Sequence, residues 1–195
     1  MSAGESEGER IDSGRDDPRF TEITDVHHFG RVDLARKHKI QRSDRAAQVD
    51  PVLLDEQHAQ LQRDGYLILE GLISDEQLDA LREEASEHLQ HFGRNSFEGE
   101  RTQRIYGLPA KLRSADPFIE HPLIIAHLER LMLPNFLLSQ AQVINIRDGS
   151  PAQPVHMDDS FYPFPRPRPP LGIATVFAID DFTEVNGATV AYPGS

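Results

Sequence analysis

Hydrophobic residues recur at the spacing of amphipathic helices in the part of the chain that follows residue 50. Asp50 is a typical N-cap, because a first-turn proline follows it, and Gly65 is a typical helix stop. Ser74 and Gln77 have the spacing of a capping box that starts a second helix. The apolar face predicted for that second helix consists of Leu78, Leu81, Ala85 and Leu89. Residues 122–132 are predicted to form a third helix.

Short apolar runs of strand length become frequent after residue 136, where β-branched residues and turn signals alternate. The runs predicted as strands are Tyr66–Leu69, Gln103–Leu108, Phe136–Ile146, Val155–Asp158, Leu171–Ile179 and Ala188–Tyr192. Pro163–Pro170 is predicted as a loop, because proline supplies no hydrogen-bond donor to a sheet. An order in which helices precede strands predicts an α+β protein with helices packed on an antiparallel sheet.

Residues 1–49 have a different character, since they are rich in glycine, serine and charged residues and show no sustained periodicity. Such a segment offers too little apolar surface to offset the entropy cost of ordering it. We therefore expect a charged, largely disordered N-terminal arm before a domain at residues 50–195. A docking role for the arm is the alternative.

The composition of the chain argues against several classes of protein. The chain has 195 residues, a net charge of −12 and no cysteine. The acidity argues against a nucleic-acid partner and against a polybasic membrane anchor. The lack of cysteine excludes disulfides and thiolate ligands from this chain. No apolar run reaches the roughly 18 residues of a membrane span, and the polar N-terminus does not resemble a signal peptide. We expect a cytoplasmic protein.

The candidate for chemistry is the run His156-Met157-Asp158. On a strand, residues two apart point to the same face, so His156 and Asp158 would present an imidazole nitrogen and a carboxylate oxygen together. This is the local half of a 2-His-1-carboxylate triad for non-haem iron. The spacing alone also fits a solvated histidine beside two aspartates. A hydrolase that uses His156 with a neighbouring aspartate is a weaker alternative, because no nucleophile motif accompanies it.

Further motifs favour the metal interpretation. The segments that follow one another in the expected order are Gln153–Pro163 (QPVHMDDSFYP), Asn186–Thr189 (NGAT) and Pro193–Ser195 (PGS), preceded by Leu61–Ser74 (LQRDGYLILEGLIS). In these motifs the chain resembles the phytanoyl-CoA dioxygenase family over about residues 52–195. Members of that family are oxygenases that depend on Fe(II) and 2-oxoglutarate.

The resemblance implies a cupin-like double-stranded β-helix, or jelly roll, with N-terminal helices against one sheet. It implies that His156 and Asp158 are iron ligands, with 2-oxoglutarate and O₂ as cosubstrates. In the family reaction 2-oxoglutarate is decarboxylated to succinate and a small molecule is usually hydroxylated. Because Asp158 is present, hydroxylation is favoured over halogenation, for which the carboxylate would be replaced by a small residue.

Other residues are weaker candidates. Gln140 and Gln142 share a predicted strand face that could bind cosubstrate, and the alternative is that they face solvent. Arg104 lies where the family often has a basic contact to 2-oxoglutarate. Phe161 and Tyr162 follow the metal motif and could border the substrate cavity, although aromatic residues near a strand end are more often part of the core.

The resemblance also implies a distal histidine and a cosubstrate arginine after the Pro-Gly-Ser turn, and this sequence shows neither. About half of a jelly roll is encoded, so its strands would expose unpaired edges. We therefore expect the 195-residue chain to be the N-terminal part of a longer enzyme, inactive and aggregation-prone when expressed alone. The alternative is a non-catalytic cupin-like binding module or a degenerate remnant.

Overall fold

A computed structural model describes residues 44–132, 136–165, 168 and 171–194. The predicted arm lies almost wholly outside these residues, and so does half of the predicted loop Pro163–Pro170. The α-helices are α1 (Pro51–Asp64), α2 (Asp75–Ser86), α3 (Asp116–Ile119) and α4 (Pro122–Leu131). The 3₁₀ helices are Ala46–Gln48, Leu108–Ala110 and Arg113–Ala115. The strands are β1 (Thr102–Tyr106) and β2 (Gln142–Ile146).

The helix starts predicted from local sequence are confirmed. The Asp50 carboxylate accepts a hydrogen bond from the backbone N–H of Val52, and Gly65 ends α1 with a φ of 80°. Ser74 and Gln77 form the reciprocal capping box of α2. These signals need only neighbouring residues, so the sequence is sufficient to predict them.

The sheet consists of β1 and β2, which pair antiparallel with Thr102 opposite Ile146 and Tyr106 opposite Gln142. The prediction of strands over 66–69, 155–158, 171–179 and 188–192 is wrong for the described structure, and β2 covers only the end of the predicted 136–146 strand. A strand is defined by hydrogen bonds to a neighbour, and these segments have no ladder partner among the described residues. Within those residues the sheet does not close, so the double-stranded β-helix remains a prediction.

One core joins the helices to β1. Its buried cluster consists of Leu81, Ala85, Ile105, Leu108, Leu112, Ala115 and Phe118. Four partly buried side chains after residue 136 pack against this cluster, namely Ala141, Val143, Phe177 and Ile179. The Phe177 ring meets the Phe118 ring edge-on, with 5.2 Å between the centroids. The described residues thus form an α+β unit in which the C-terminal part docks on a helical core.

Helices in the described ranges are too short or too polar to cross a bilayer.

Candidate functional site

His156 and Asp158 lie at the start of a turn and not on the predicted strand. The turn is closed by backbone hydrogen bonds from Ser160 to Met157 and from Tyr162 to Asp159, at 2.9 and 3.2 Å. The two side chains nevertheless converge, with 3.4 Å between His156 Nε2 and Asp158 Oδ1. The turn therefore produces the juxtaposition that was predicted from strand geometry.

A backbone carbonyl determines which ring nitrogen of His156 carries the hydrogen. His156 Nδ1 lies 2.8 Å from the carbonyl oxygen of Pro154. A carbonyl can only accept, so Nδ1 carries the hydrogen and, in the neutral ring, Nε2 presents its lone pair toward Asp158. Metal-binding histidines commonly donate their other ring N–H in this way. In the imidazolium form, Nε2–H points toward the Asp158 carboxylate instead.

The pair fits a shared cation. Two ligands that each lie about 2.1 Å from one ion can be at most about 4.2 Å apart, and the observed 3.4 Å satisfies that limit. Two acceptor atoms that face each other are also stabilised by a cation between them. Within the part of the chain that the structure describes, no group of three or more His, Asp or Glu side chains forms a metal site. The described residues therefore bring two candidate donors together, and their role as metal ligands stays a prediction.

Asp159 is directed into a different interaction. Its carboxylate accepts a hydrogen bond from Arg168 Nη1 at 2.6 Å, and both side chains are nearly buried. Arg168 Nη2 also donates to the backbone carbonyl of Asp159 at 3.2 Å. This ion pair anchors the turn directly after the two donors. No spacing signal predicted this pair, because Arg168 lies within the proline-rich segment, nine residues after Asp159.

An aromatic residue that the sequence analysis did not select contacts the imidazole. The Phe97 ring packs edge-on against the His156 ring, with 4.8 Å between centroids and 69° between planes. Gln153 Nε2 donates to the backbone carbonyl of Phe97 at 2.7 Å. A signal was present, since Phe97 is the one aromatic residue in the otherwise polar run Asn95–Thr102 (NSFEGERT).

Arg104 and Gln142, which were both predicted to bind cosubstrate, lie on the paired strands and contact each other. Arg104 is buried, and its Nη1 donates to Gln142 Oε1 at 3.1 Å. Its Nε and Nη2 donate to the backbone carbonyl of Glu98 at 3.0 and 2.8 Å. Gln140 is exposed and precedes β2. The structure therefore brings together two of the three residues predicted for this role.

Glu98 organises the loop between Gly93 and Thr102. Its carboxylate accepts hydrogen bonds from Arg94 Nε at 3.0 Å and from the Tyr106 hydroxyl at 2.8 Å. The bonds from Arg94 lower the pKa of Glu98 to about 2. Desolvation, together with the bond to Glu98, raises the pKa of Tyr106. The Arg94 guanidinium also lies over the Tyr106 ring, 4.7 Å from its centroid.

The predicted substrate residues Phe161 and Tyr162 lie on the turn after the donors. Their rings contact each other with 4.3 Å between centroids, and 73 % of Phe161 is exposed. They lie at the surface, a few residues after His156 and Asp158 in the sequence, and are not part of the core. Their role toward a substrate stays a prediction.

Comparisons with known proteins agree with these motifs. The profile of the family described as phytanoyl-CoA dioxygenase (PhyH) matches residues 61–195. A protein named dioxygenase ALT11 from Alternaria alternata is 32 % identical over 163 residues, which are 73 % of this chain and 54 % of that protein. Dioxygenase olcK from Penicillium canescens is 31 % identical over 159 residues, 73 % of this chain and 53 % of that protein. Multifunctional dioxygenase prhA from Penicillium brasilianum is 29 % identical over 159 residues, 72 % of this chain and 52 % of that protein. The chain spans about half the length of these relatives.

Proposed function

The chain belongs to the phytanoyl-CoA dioxygenase family, and on that premise we propose that it carries the iron-binding part of an Fe(II)- and 2-oxoglutarate-dependent oxygenase that hydroxylates a small molecule. The observation that supports this most is the convergence of His156 Nε2 and Asp158 Oδ1 at 3.4 Å. Both donors fall within the matched residues, and the named relatives are dioxygenases.

In this proposal His156 and Asp158 hold the iron, and a third ligand joins them. Bound Fe(II) supplies the activation of O₂, with 2-oxoglutarate as the electron source. The chain's own residues prepare the donors for that role. The Pro154 carbonyl holds the proton on Nδ1 of His156, which keeps Nε2 available as a ligand. The Asp159–Arg168 pair holds the turn that carries both donors.

We assign the remaining predicted residues to the same site. We assign the polar pair of Arg104 and Gln142 to a carboxylate of 2-oxoglutarate, and we assign Gln140, which precedes β2, to the same role. Phe161 and Tyr162 provide apolar surface for the substrate. Asp158 favours hydroxylation, because a carboxylate occupies the position that a halide would need.

Turnover of 2-oxoglutarate tests this proposal. Succinate formation is measured with the full-length product of the gene, with and without Fe(II), for the wild type and two histidine variants. His156→Ala removes a proposed ligand, and we expect loss of Fe(II)-dependent turnover. His88→Ala removes an exposed histidine just after α2, and we expect turnover close to the wild-type rate.

Two results would contradict the proposal. Equal turnover in the two variants would remove His156 from the ligand set. Absence of Fe(II)-dependent succinate formation in the wild type would contradict the enzyme assignment itself. The second result would favour a non-catalytic cupin-like binding module.

A further inference from the structure

We propose that Phe97 is a positioning residue, which holds the His156 imidazole in the orientation that directs Nε2 toward Asp158. The inference rests on the proposed ligand role of His156. The Phe97 ring meets the imidazole edge-on at 4.8 Å, while the Pro154 carbonyl holds Nδ1 at 2.8 Å. The Pro154 carbonyl thus restrains Nδ1 of His156, and the Phe97 ring restrains the imidazole ring. The other nitrogen, Nε2, is left for a ligand.

Two side-chain bonds to consecutive carbonyls fix Phe97 in turn. Gln153, three residues before His156, donates to the Phe97 carbonyl at 2.7 Å. Arg104 donates to the next carbonyl, that of Glu98, at 3.0 and 2.8 Å. The first bond ties the loop to the segment of the metal donors, and the second ties it to β1. Phe97 therefore connects the sheet to the candidate site.

The loop that carries Phe97 is braced internally. The N–H of Gly93 donates to the carbonyl of Thr102 at 2.9 Å, which closes the loop at its base. The side-chain oxygen of Asn95 accepts a hydrogen bond from the backbone N–H of Glu98 at 2.9 Å. The backbone carbonyl of Asn95 accepts one from the N–H of Gly99 at 3.1 Å. A braced loop can impose an orientation on a neighbouring side chain, whereas a loose loop would follow it.

An imidazole on a surface turn otherwise has several rotamers and two neutral tautomers. An edge-to-face contact between aromatic rings shifts such a population by about 2- to 12-fold. The contact therefore biases His156 toward one orientation before any metal binds. Phe97 itself is 45 % exposed, so shortening its ring leaves the buried core intact.

The ring nitrogens of His156 provide a readout that needs neither metal nor turnover. The full-length gene product is labelled with ¹⁵N-histidine, and the His156 signals are identified by their loss in His156→Ala. At a pH where the ring is neutral, we expect the wild type to show the Nδ1–H tautomer. In Phe97→Leu we expect the population of the Nδ1–H tautomer, relative to the other states of the ring, to fall about 2- to 12-fold. The ring-current shift that Phe97 imposes on the His156 signals should also be lost.

Matched variants separate positioning from general damage. Phe97→Tyr keeps the aromatic contact and is expected to retain the wild-type spectrum. Phe92→Leu makes the same change at another exposed aromatic residue and is expected to leave the His156 signals unchanged. Gln153→Ala frees the Phe97 carbonyl without altering the ring, and we expect a shift in the same direction as Phe97→Leu. Wild-type His156 signals in both Phe97→Leu and Gln153→Ala would overturn the inference.

Co(II) added to the same samples tests the proposed function separately. We expect it to broaden the His156 signals of the wild type, and to do so less effectively in Phe97→Leu. If Co(II) leaves wild-type His156 unaffected while the Phe97→Leu tautomer changes, the ligand role fails and the positioning contact stands. If Co(II) broadens His156 equally in both proteins and the tautomers agree, the ligand role stands and the positioning role fails.

Discussion

The described residues up to 132, the helical region, and those from 136 onward, the C-terminal region, differ in how they bury their apolar side chains. Among the residues that the structure describes, all ten buried hydrophobic residues lie between Leu54 and Ala126. The same part of the chain has 21 exposed large hydrophobic residues, and 16 of them follow residue 136, including Val185, of which 94 % is exposed. The helical region thus contains the core, and the C-terminal region carries the proposed metal donors on a surface without a core of its own.

Side-chain contacts add to the β1–β2 pairing that joins the two regions. Phe97 packs on His156, and Phe118 packs on Phe177. Arg82 of α2 adds a hydrogen bond to Asp180 at 3.1 Å. An apolar strand needs partners that are distant in sequence, whereas a helix satisfies its own backbone. The local turn brings the two donors together, and tertiary contacts set where that turn lies on the helical region.

Removal of core volume should give the largest effect. Leu112 is completely buried, so Leu112→Ala should lower the free energy of unfolding by about 2–5 kcal/mol, as measured by urea denaturation. Val185→Ala is the control in the C-terminal region, and we expect a change within about 0.5 kcal/mol. Comparable losses in the two variants would contradict the asymmetry between the regions.

A smaller loss is expected where the C-terminal region meets the core. Phe177→Ala removes the ring that contacts Phe118, and we expect the free energy of unfolding to fall by about 1–3 kcal/mol. Backbone amides after residue 171 should also exchange faster in this variant, which mass spectrometry can detect. Val176→Ala, which shortens the exposed neighbouring side chain, is the control. Unchanged exchange in Phe177→Ala would show that other contacts hold the region.

The bonds of Glu98 to Arg94 and Tyr106 should make the free energy of unfolding depend on pH in the acid range. The pKa of Glu98 is lowered from 4.5 to about 2 in the folded state, so its stabilising effect is present above pH 4.5. That effect is lost as the pH falls from about 4.5 toward 2, because the unfolded state binds the proton first. Glu98→Gln should have lower stability at pH 7 and a flatter profile below pH 4.5. Parallel profiles for wild type and variant would contradict the assignment.

The smallest effect should come from a helix cap remote from the site. Ser74→Ala removes the cap of α2 and should cost about 1 kcal/mol of unfolding free energy in urea denaturation. Ser86→Ala, at the other end of α2, should change stability by less than about 0.5 kcal/mol. His156 signals in an NMR spectrum should stay the same in both variants, since neither residue touches the loop that carries Phe97.

Local signals made the helical region predictable. The capping box of Ser74 and Gln77 and the N-cap at Asp50 are complete within a few residues. The convergence of His156 and Asp158 was also predicted, although a turn and not a strand produces it. The contact of Phe97 with His156 and the pairing of Asp159 with Arg168 could not be read from the sequence. Each depends on how distant segments fold onto each other.

Binding of Fe(II) to the full-length gene product tests the central claim most directly. Calorimetry without oxygen would compare the wild type with Asp158→Asn and with Asp148→Asn, which alters an exposed aspartate in the turn after β2. We expect Asp158→Asn to weaken Fe(II) binding by more than about tenfold and Asp148→Asn to leave it unchanged. Equal affinity in the wild type and Asp158→Asn would contradict the assignment of His156 and Asp158 as an iron-binding pair.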